Sequence, residues 1–139
     1  MPNDKIKNNI FRKEEDRGYF EVWVGDDGIV RLKVGEKKWD YDTMEKVVDS
    51  YSKVINSLTE KPKVLIDLTS SIPVLSPLIR KGIVEKLKDV YNLGFEKVAM
   101  FGGSTIIKVT TVFAMKASRI KNVKYFNTEE EAVKWLEEE

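Results

Sequence analysis

The chain has 139 residues, with 24 basic and 23 acidic side chains and neither cysteine nor histidine. Its length fits one domain that buries about two-thirds of its unfolded surface. A sequence without Cys and His excludes a disulfide scaffold, a thiol nucleophile, an imidazole base and the usual zinc site. No apolar run approaches the roughly 20 residues that cross a bilayer, and the first 18 residues are too charged for a signal peptide. These features predict a soluble, cytoplasmic protein.

The N-terminal part combines an irregular segment with a hairpin pattern. Residues 1–18 mix charges without a sustained period, which predicts a loosely ordered arm before a single α/β domain over 19–139. Apolar and polar residues alternate over 19–24, an acidic Gly-bounded turn follows at 25–28, and alternation resumes over 29–34. Because Asp-Gly supplies the positive φ of a tight turn, this pattern predicts a β-hairpin.

Helical and strand patterns alternate through the rest of the chain. Apolar side chains recur at helical spacing in some segments, and short continuous apolar runs between them are typical of buried parallel strands. The predicted elements are a helix over 42–58, a strand over 64–68, a helix over 77–93, a strand over 98–101, a strand over 124–126 and a final helix from 129.

The segment Thr105–Ser118 is ambiguous, since it is rich in β-branched residues and follows Gly102-Gly103. Locally it predicts a hairpin with the strand before it. The alternating rhythm on both sides favours a helix, because parallel strands need a crossover of about a dozen residues. We therefore predict a helix here and three right-handed βαβ crossovers in the chain.

The element order and four short motifs resemble the STAS domains (sulphate-transporter and anti-sigma-factor-antagonist type), especially stand-alone bacterial members of unassigned function. The motifs are Gly28-Ile29-Val30, Leu65-Ile66-Asp67-Leu68, Lys97-Val98-Ala99 and Phe126-x-Thr128-x-x-x-Ala132-x-x-Trp135-Leu136. The resemblance implies a single mixed, mostly parallel sheet of about five strands, with about four helices mainly on one face. It also implies a regulatory or binding module without enzymatic activity.

In the anti-sigma-antagonist branch, a partner kinase phosphorylates a serine at the start of the helix after the central strand. That branch carries Asp-Ser-(Ser/Thr)-Gly, whereas this chain has Leu75-Ser76-Pro77-Leu78. The acidic residue and the glycine are missing. We therefore interpret Ser76 as a helix N-cap rather than a phosphorylation switch.

Catalytic motifs are missing from the sequence. It has no Gly-x-Ser-x-Gly elbow, no phosphate-loop lysine motif and no Gly-x-Gly-x-x-Gly after a strand, so we assign no catalytic residue, cofactor or metal. An enzyme that uses Asp67 is the distant alternative.

Two loops should meet at the carboxyl ends of neighbouring parallel strands, where open α/β sheets bind ligands. Glycines before a helix leave its first N–H groups approachable, and the helix dipole favours an anion. The predicted ligand-binding residues are Asp67, Thr69, Ser70, Ser71, Gly102, Gly103, Ser104 and Thr105. In the structural alternative, the glycines form only a tight turn and Ser104 or Thr105 caps the helix. Asp67 is then an acceptor for loop N–H groups.

A basic stretch follows these loops. Between Glu96 and Glu129 the sequence has six basic residues and no acidic one, and its helix is apolar on most sides. The predicted apolar or membrane-facing surface consists of Ile107, Val109, Met115, Lys108, Lys116, Arg119 and Lys121. Its occupant would be a protein partner, a lipid-like ligand or an anionic membrane. The structural alternative is a helix enclosed between the sheet and its neighbours, with solvated lysines.

Partner hypotheses follow from these surfaces. Tyr19 and Trp23 share one face of the hairpin and predict a dimer contact if no helix covers them. The near-neutral charge and the lack of a base-stacking motif argue against nucleic acid. The leading hypothesis is a cytoplasmic module that acts through protein contacts. The alternative is binding of a lipid-like ligand or membrane through residues 105–121, with peripheral location at the membrane.

Overall fold

The computed structural model describes residues 11–15, 18–34, 41–70 and 77–138. Six strands and four helices lie in these ranges. The strands are β1 (Phe11–Glu15), β2 (Gly18–Val24), β3 (Val30–Val34), β4 (Lys63–Asp67), β5 (Lys97–Phe101) and β6 (Val123–Phe126). The helices are α1 (Tyr41–Asn56), α2 (Pro77–Leu93), α3 (Thr105–Ser118) and α4 (Glu129–Glu137).

The six strands form one mixed sheet whose spatial order follows the chain from β1 to β6. The first two pairings are antiparallel and the next three are parallel. Strand order that advances in one direction through right-handed crossovers places every connecting helix on the same face. The mixed, mostly parallel sheet and the four helices predicted from the sequence are confirmed, and 105–118 is a helix rather than a hairpin strand.

The N-terminal arm differs from the prediction. A loosely ordered segment was expected over residues 1–18, and this is wrong for Phe11–Glu15, which pair with β2 as an edge strand. Without β1, the backbone groups along the outer side of β2 would have no strand partner. The run Arg12–Glu15 consists entirely of charged residues, so it lacks the apolar–polar alternation that normally identifies a strand. Residues 1–10 lie outside the described part of the chain.

Two apolar cores lie on opposite faces of the sheet, because successive strand residues point in opposite directions. On the main face, Val64 and Val98 pack with α1, and side chains of α2 and α3 close over them. On the second face, Leu65 and Ala99 pack with α4. Three helices therefore lie on one face and one on the other, as the resemblance implied.

Tyr51 joins helix α1 to the turn after α2. Its side chain is 1% exposed, and its hydroxyl donates a hydrogen bond of 2.8 Å to the carbonyl oxygen of Gly94. Burial raises the pKa of the Tyr51 phenol well above its ordinary value of 10.0. The folded state thus requires the neutral hydroxyl.

We expect Tyr51→Phe to lower the free energy of unfolding by about 1 kcal/mol at neutral pH, because one buried hydrogen bond is lost. The pH dependence should also change. The phenol ionises near its ordinary pKa only when the chain is unfolded. Its contribution to the free energy of unfolding is therefore complete below about pH 10 and is lost as the pH rises further. Urea denaturation of the parent chain and of Tyr51→Phe at about pH 8 and pH 11 measures this effect. An equal loss of unfolding free energy in the two proteins between these pH values would contradict it.

Candidate functional site

The loops after β4 and β5 lie against each other at the carboxyl edge of the sheet. The backbone N–H of Leu68 donates to the carbonyl of Phe101 over 2.9 Å, which extends the pairing of the two strands. Gly102 has φ +86°, and a Cβ there would lie 3.0 Å from the backbone nitrogen of Thr69. Only glycine allows so close an approach with this backbone conformation. The predicted meeting of the two loops is therefore present in the fold.

Asp67 is occupied within its own loop. Its Oδ1 accepts a hydrogen bond of 2.9 Å from the backbone N–H of Thr69 and a second from the Thr69 hydroxyl. This arrangement is an Asx-type turn, in which the carboxylate stabilises the chain reversal after the strand. It supports the interpretation of Asp67 as a structural acceptor.

Ser104 caps helix α3. Its backbone is extended, and its Oγ accepts a hydrogen bond of 3.3 Å from the N–H of Ile107. In the preceding turn, the carbonyl oxygen of Gly102 accepts a hydrogen bond from the Tyr125 hydroxyl. Gly103 has φ +88° and completes the turn. The geometry supports the turn-and-cap interpretation for this loop. Ser71, a predicted ligand residue, and Ser76 lie outside the described residues.

Anion binding at this loop pair stays a prediction. Sulphate should raise the melting temperature more than chloride at matched ionic strength if the first N–H groups of α3 bind it. Because sulphate stabilises many proteins by exclusion from their surface, a Gly103→Val variant, whose side chain would crowd the first turn of α3, is the control. A specific site predicts a smaller sulphate response in that variant. If sulphate raised the melting temperature of both proteins equally, the loop would have only its structural role as a turn and a helix cap.

Helix α3 exposes a stripe of large apolar side chains. Ile106 is 49% exposed, Val109 63% and Phe113 64%. Together with Thr105 and Thr110 they line an open cleft of about 350 Å³. The spacing i, i+3 and i+7 places the three apolar residues on one side of the helix. We call this set, Ile106, Val109 and Phe113, the α3 stripe.

The residues predicted for an apolar or membrane-facing surface differ in their exposure, and their role stays a prediction. Val109 is exposed as expected, but the assignment of Ile107 is wrong: it is 7% exposed and faces the protein interior. Met115 is half-buried against the main core. Ile106 and Phe113 are not among the predicted surface residues, although helical spacing from Val109 leads to both.

The basic residues of this region point in different directions. Lys108 donates to the side-chain oxygen of Asn127 over 3.1 Å and lies 5.8 Å from the Tyr125 ring, so it belongs to the β6 side of the helix. Lys116 is exposed in the last turn of α3. Arg119 is the exposed left-handed C-cap with φ 57°, and Lys121 is exposed in the following loop. Positive charge thus continues beyond the apolar stripe.

The hairpin presents a different surface on the second face of the sheet. Helix α4 contacts β4, β5 and β6. Beside it, Trp23 is half-buried and pairs in register with Arg31, whose guanidinium binds Asp27 at 2.9 Å and Glu129 at 3.4 Å. The Tyr19 side chain lies outside the described part, so the predicted dimer contact stays a prediction.

The geometry defines an α/β module built on one mixed sheet of six strands among the described residues. No group of three or more metal-ligating side chains occurs among the described residues, and none of the described helices combines the length and apolar character needed to span a bilayer. A family model described as SpoIIAA-like matches residues 30–137. The chain belongs to this SpoIIAA-like family, which confirms the STAS-like resemblance of the sequence.

One solved structure supports the same fold. It is the crystal structure of an uncharacterised protein of the DUF3478 family from Shewanella loihica PV-4, which has a SpoIIAA-like fold. The two chains share 20% identity over 91% of each, with a TM-score of 0.52. No curated protein matches the chain.

Proposed function

We propose that this protein is a non-enzymatic regulatory or binding module that acts through contacts with another protein. The SpoIIAA-like fold family is generally non-enzymatic, and STAS-like domains commonly mediate protein interactions. The observation that carries the proposal is the exposed α3 stripe, because a cluster of large apolar side chains on a monomer surface marks an interaction site.

The loop residues support the same proposal indirectly. Asp67 and Ser104, the groups best suited to chemistry in that region, already make the hydrogen bonds of the Asx turn and the helix cap. Ser76 enters the proposal as a helix cap, so regulation would not depend on its phosphorylation.

A second candidate function is binding of a lipid-like ligand or an anionic membrane through residues 105–121. The cleft of about 350 Å³ on α3 favours a lipid-like ligand, and the acid-free stretch between Glu96 and Glu129 favours an anionic membrane. In this case the protein would act at the membrane surface. In the leading proposal it acts in the cytoplasm.

Native mass spectrometry of protein isolated from its source cells tests the proposal. The protein-contact function predicts a discrete complex with another polypeptide, which re-forms when the two purified components are mixed. Release of a small apolar molecule on activation would favour the second candidate. A mass of two chains, lost on Trp23→Ser, would indicate self-association through the hairpin face instead.

A further inference from the structure

We propose that the α3 stripe is the docking surface of this module and that its partner presents an acidic, amphipathic helical segment. This inference rests on the proposed function and adds the surface and the chemistry of the partner.

The apolar part of the argument concerns which side chains the fold itself requires. Ile107, Ala114 and Ser118 are buried and hold α3 to the body of the protein. The α3 stripe lies on a different side of the helix, with all three side chains about half or more exposed. Three large apolar residues at i, i+3 and i+7 present a ridge that a facing helix fits with its own apolar side chains.

The remaining exposed large apolar residues differ from the stripe. Among the described residues they are Tyr91 and Leu93, at the end of α2. The Tyr91 ring makes an edge contact with Phe95 at 5.7 Å, so it has an intramolecular partner. The α3 stripe is the larger of the two clusters, and it lines a cleft.

Charge specifies the occupant. Helix α3 and its C-cap contain three basic residues and no acidic one, and one of the three, Lys108, is directed toward Asn127. Lys116 lies one turn beyond Phe113, and Arg119 ends the same helix. A partner with acidic residues beside its apolar ones would therefore meet complementary charge, and a basic partner would be repelled.

The shape of the surface favours a protein over a membrane. The stripe borders a cleft that also includes Thr105 and Thr110, which suits insertion of a side chain better than contact with a flat bilayer. Adsorption to an anionic membrane requires several basic side chains on the same side of the protein, facing the membrane surface. Lys108 is instead directed toward Asn127 and the β6 side of α3.

The test uses a fluorescently labelled synthetic helix with leucines at i, i+3, i+4 and i+7 and glutamates at the other positions. We expect it to bind the full chain in anisotropy titrations at low salt, and to bind less tightly as salt is added. Phe113→Asp should weaken binding by about tenfold or more, because it removes the largest apolar anchor of the stripe and introduces a like charge. Leu93→Asp is the apolar control and should leave binding unchanged.

A matched pair of lysines tests the charge. Lys116 and Lys134 both lie in the last turn of a helix, on α3 and on α4 respectively, and both are exposed. Lys116→Glu should weaken binding of the acidic peptide and make that binding less dependent on salt. Lys134→Glu, on the other face of the sheet, should change neither. Circular dichroism of each variant confirms that it is folded.

Several results would overturn the docking surface. They are equal binding of a peptide with lysine in place of glutamate, no binding of the acidic peptide, and binding to phosphatidylglycerol vesicles without binding to the peptide. A reconstituted natural complex that tolerates both Phe113→Asp and Lys116→Glu would also overturn it while the proposed function stands. Failure to find any protein partner would contradict the proposed function, and the peptide result would still decide the surface.

Discussion

Replacing Gly103 with alanine is expected to lower the free energy of unfolding by about 2–4 kcal/mol. Two effects combine at this position. Gly103 has φ +88°, a conformation that side chains with a Cβ rarely adopt. In addition, a Cβ there would lie 2.6 Å from Cγ2 of Ile107 and 3.0 Å from the carbonyl oxygen of Leu68. Neither neighbour moves easily, since Ile107 is a buried β-branched side chain and the Leu68 oxygen belongs to the backbone.

Gly28→Ala is the matched control for the backbone effect alone. Gly28 has φ +81°, and a Cβ there would meet no atom within 4 Å. We therefore expect a loss of about 1–2 kcal/mol from the left-handed conformation only. Urea denaturation of the two variants separates the steric cost at Gly103 from the conformational cost that both share. Equal losses would show that the Gly103 contact relaxes freely and that the loop is less tightly packed than the structure indicates.

The elements that sequence alone predicts are those with strong periodicity and clear boundaries. The hairpin around the turn at 25–28 and the helix from 41 to 56 follow from alternation and helical spacing. For residues 105–118 the helix is predicted from connectivity, because their β-branched composition alone favours a strand. Strand β1 could not be predicted, since its pairing with β2 is a tertiary effect and its side chains are mostly charged.

The candidate site shows the same division between local and tertiary information. The meeting of the loops at Thr69 and Gly102 follows from the rule that parallel strands end at one edge of the sheet. Composition also indicated that α3 has more apolar residues than one interface can bury. The rotation of the helix about its axis was not predictable, because the packing against the sheet and α2 sets it. Ile107 was therefore placed on the wrong side, and Phe113 was missed.

Helix α4 is the cover of the second apolar core. Its Leu136 side chain is 0% exposed and packs with residues of β4 and β5 that would otherwise face water. Lys97 holds the end of the helix, because its ammonium donates to the carbonyl of Trp135 over 3.0 Å and to that of Glu138 over 2.7 Å. This cation at a helix C-terminus also interacts favourably with the helix dipole.

We expect Leu136→Ala to lower the free energy of unfolding by about 2–5 kcal/mol, the range for a buried leucine whose removal leaves a cavity. The cost should lie toward the upper part of this range, because Ala132, the other buried residue of α4, is too small to fill the space. Glu137→Ala, at the exposed neighbouring position, should change stability by no more than about 0.5 kcal/mol. Urea denaturation measures both, and a Leu136→Ala loss as small as that of Glu137→Ala would mean that α4 does not cover this core. Since α4 and α3 lie on opposite faces of the sheet, folded Leu136→Ala protein should bind the acidic peptide as tightly as the parent chain.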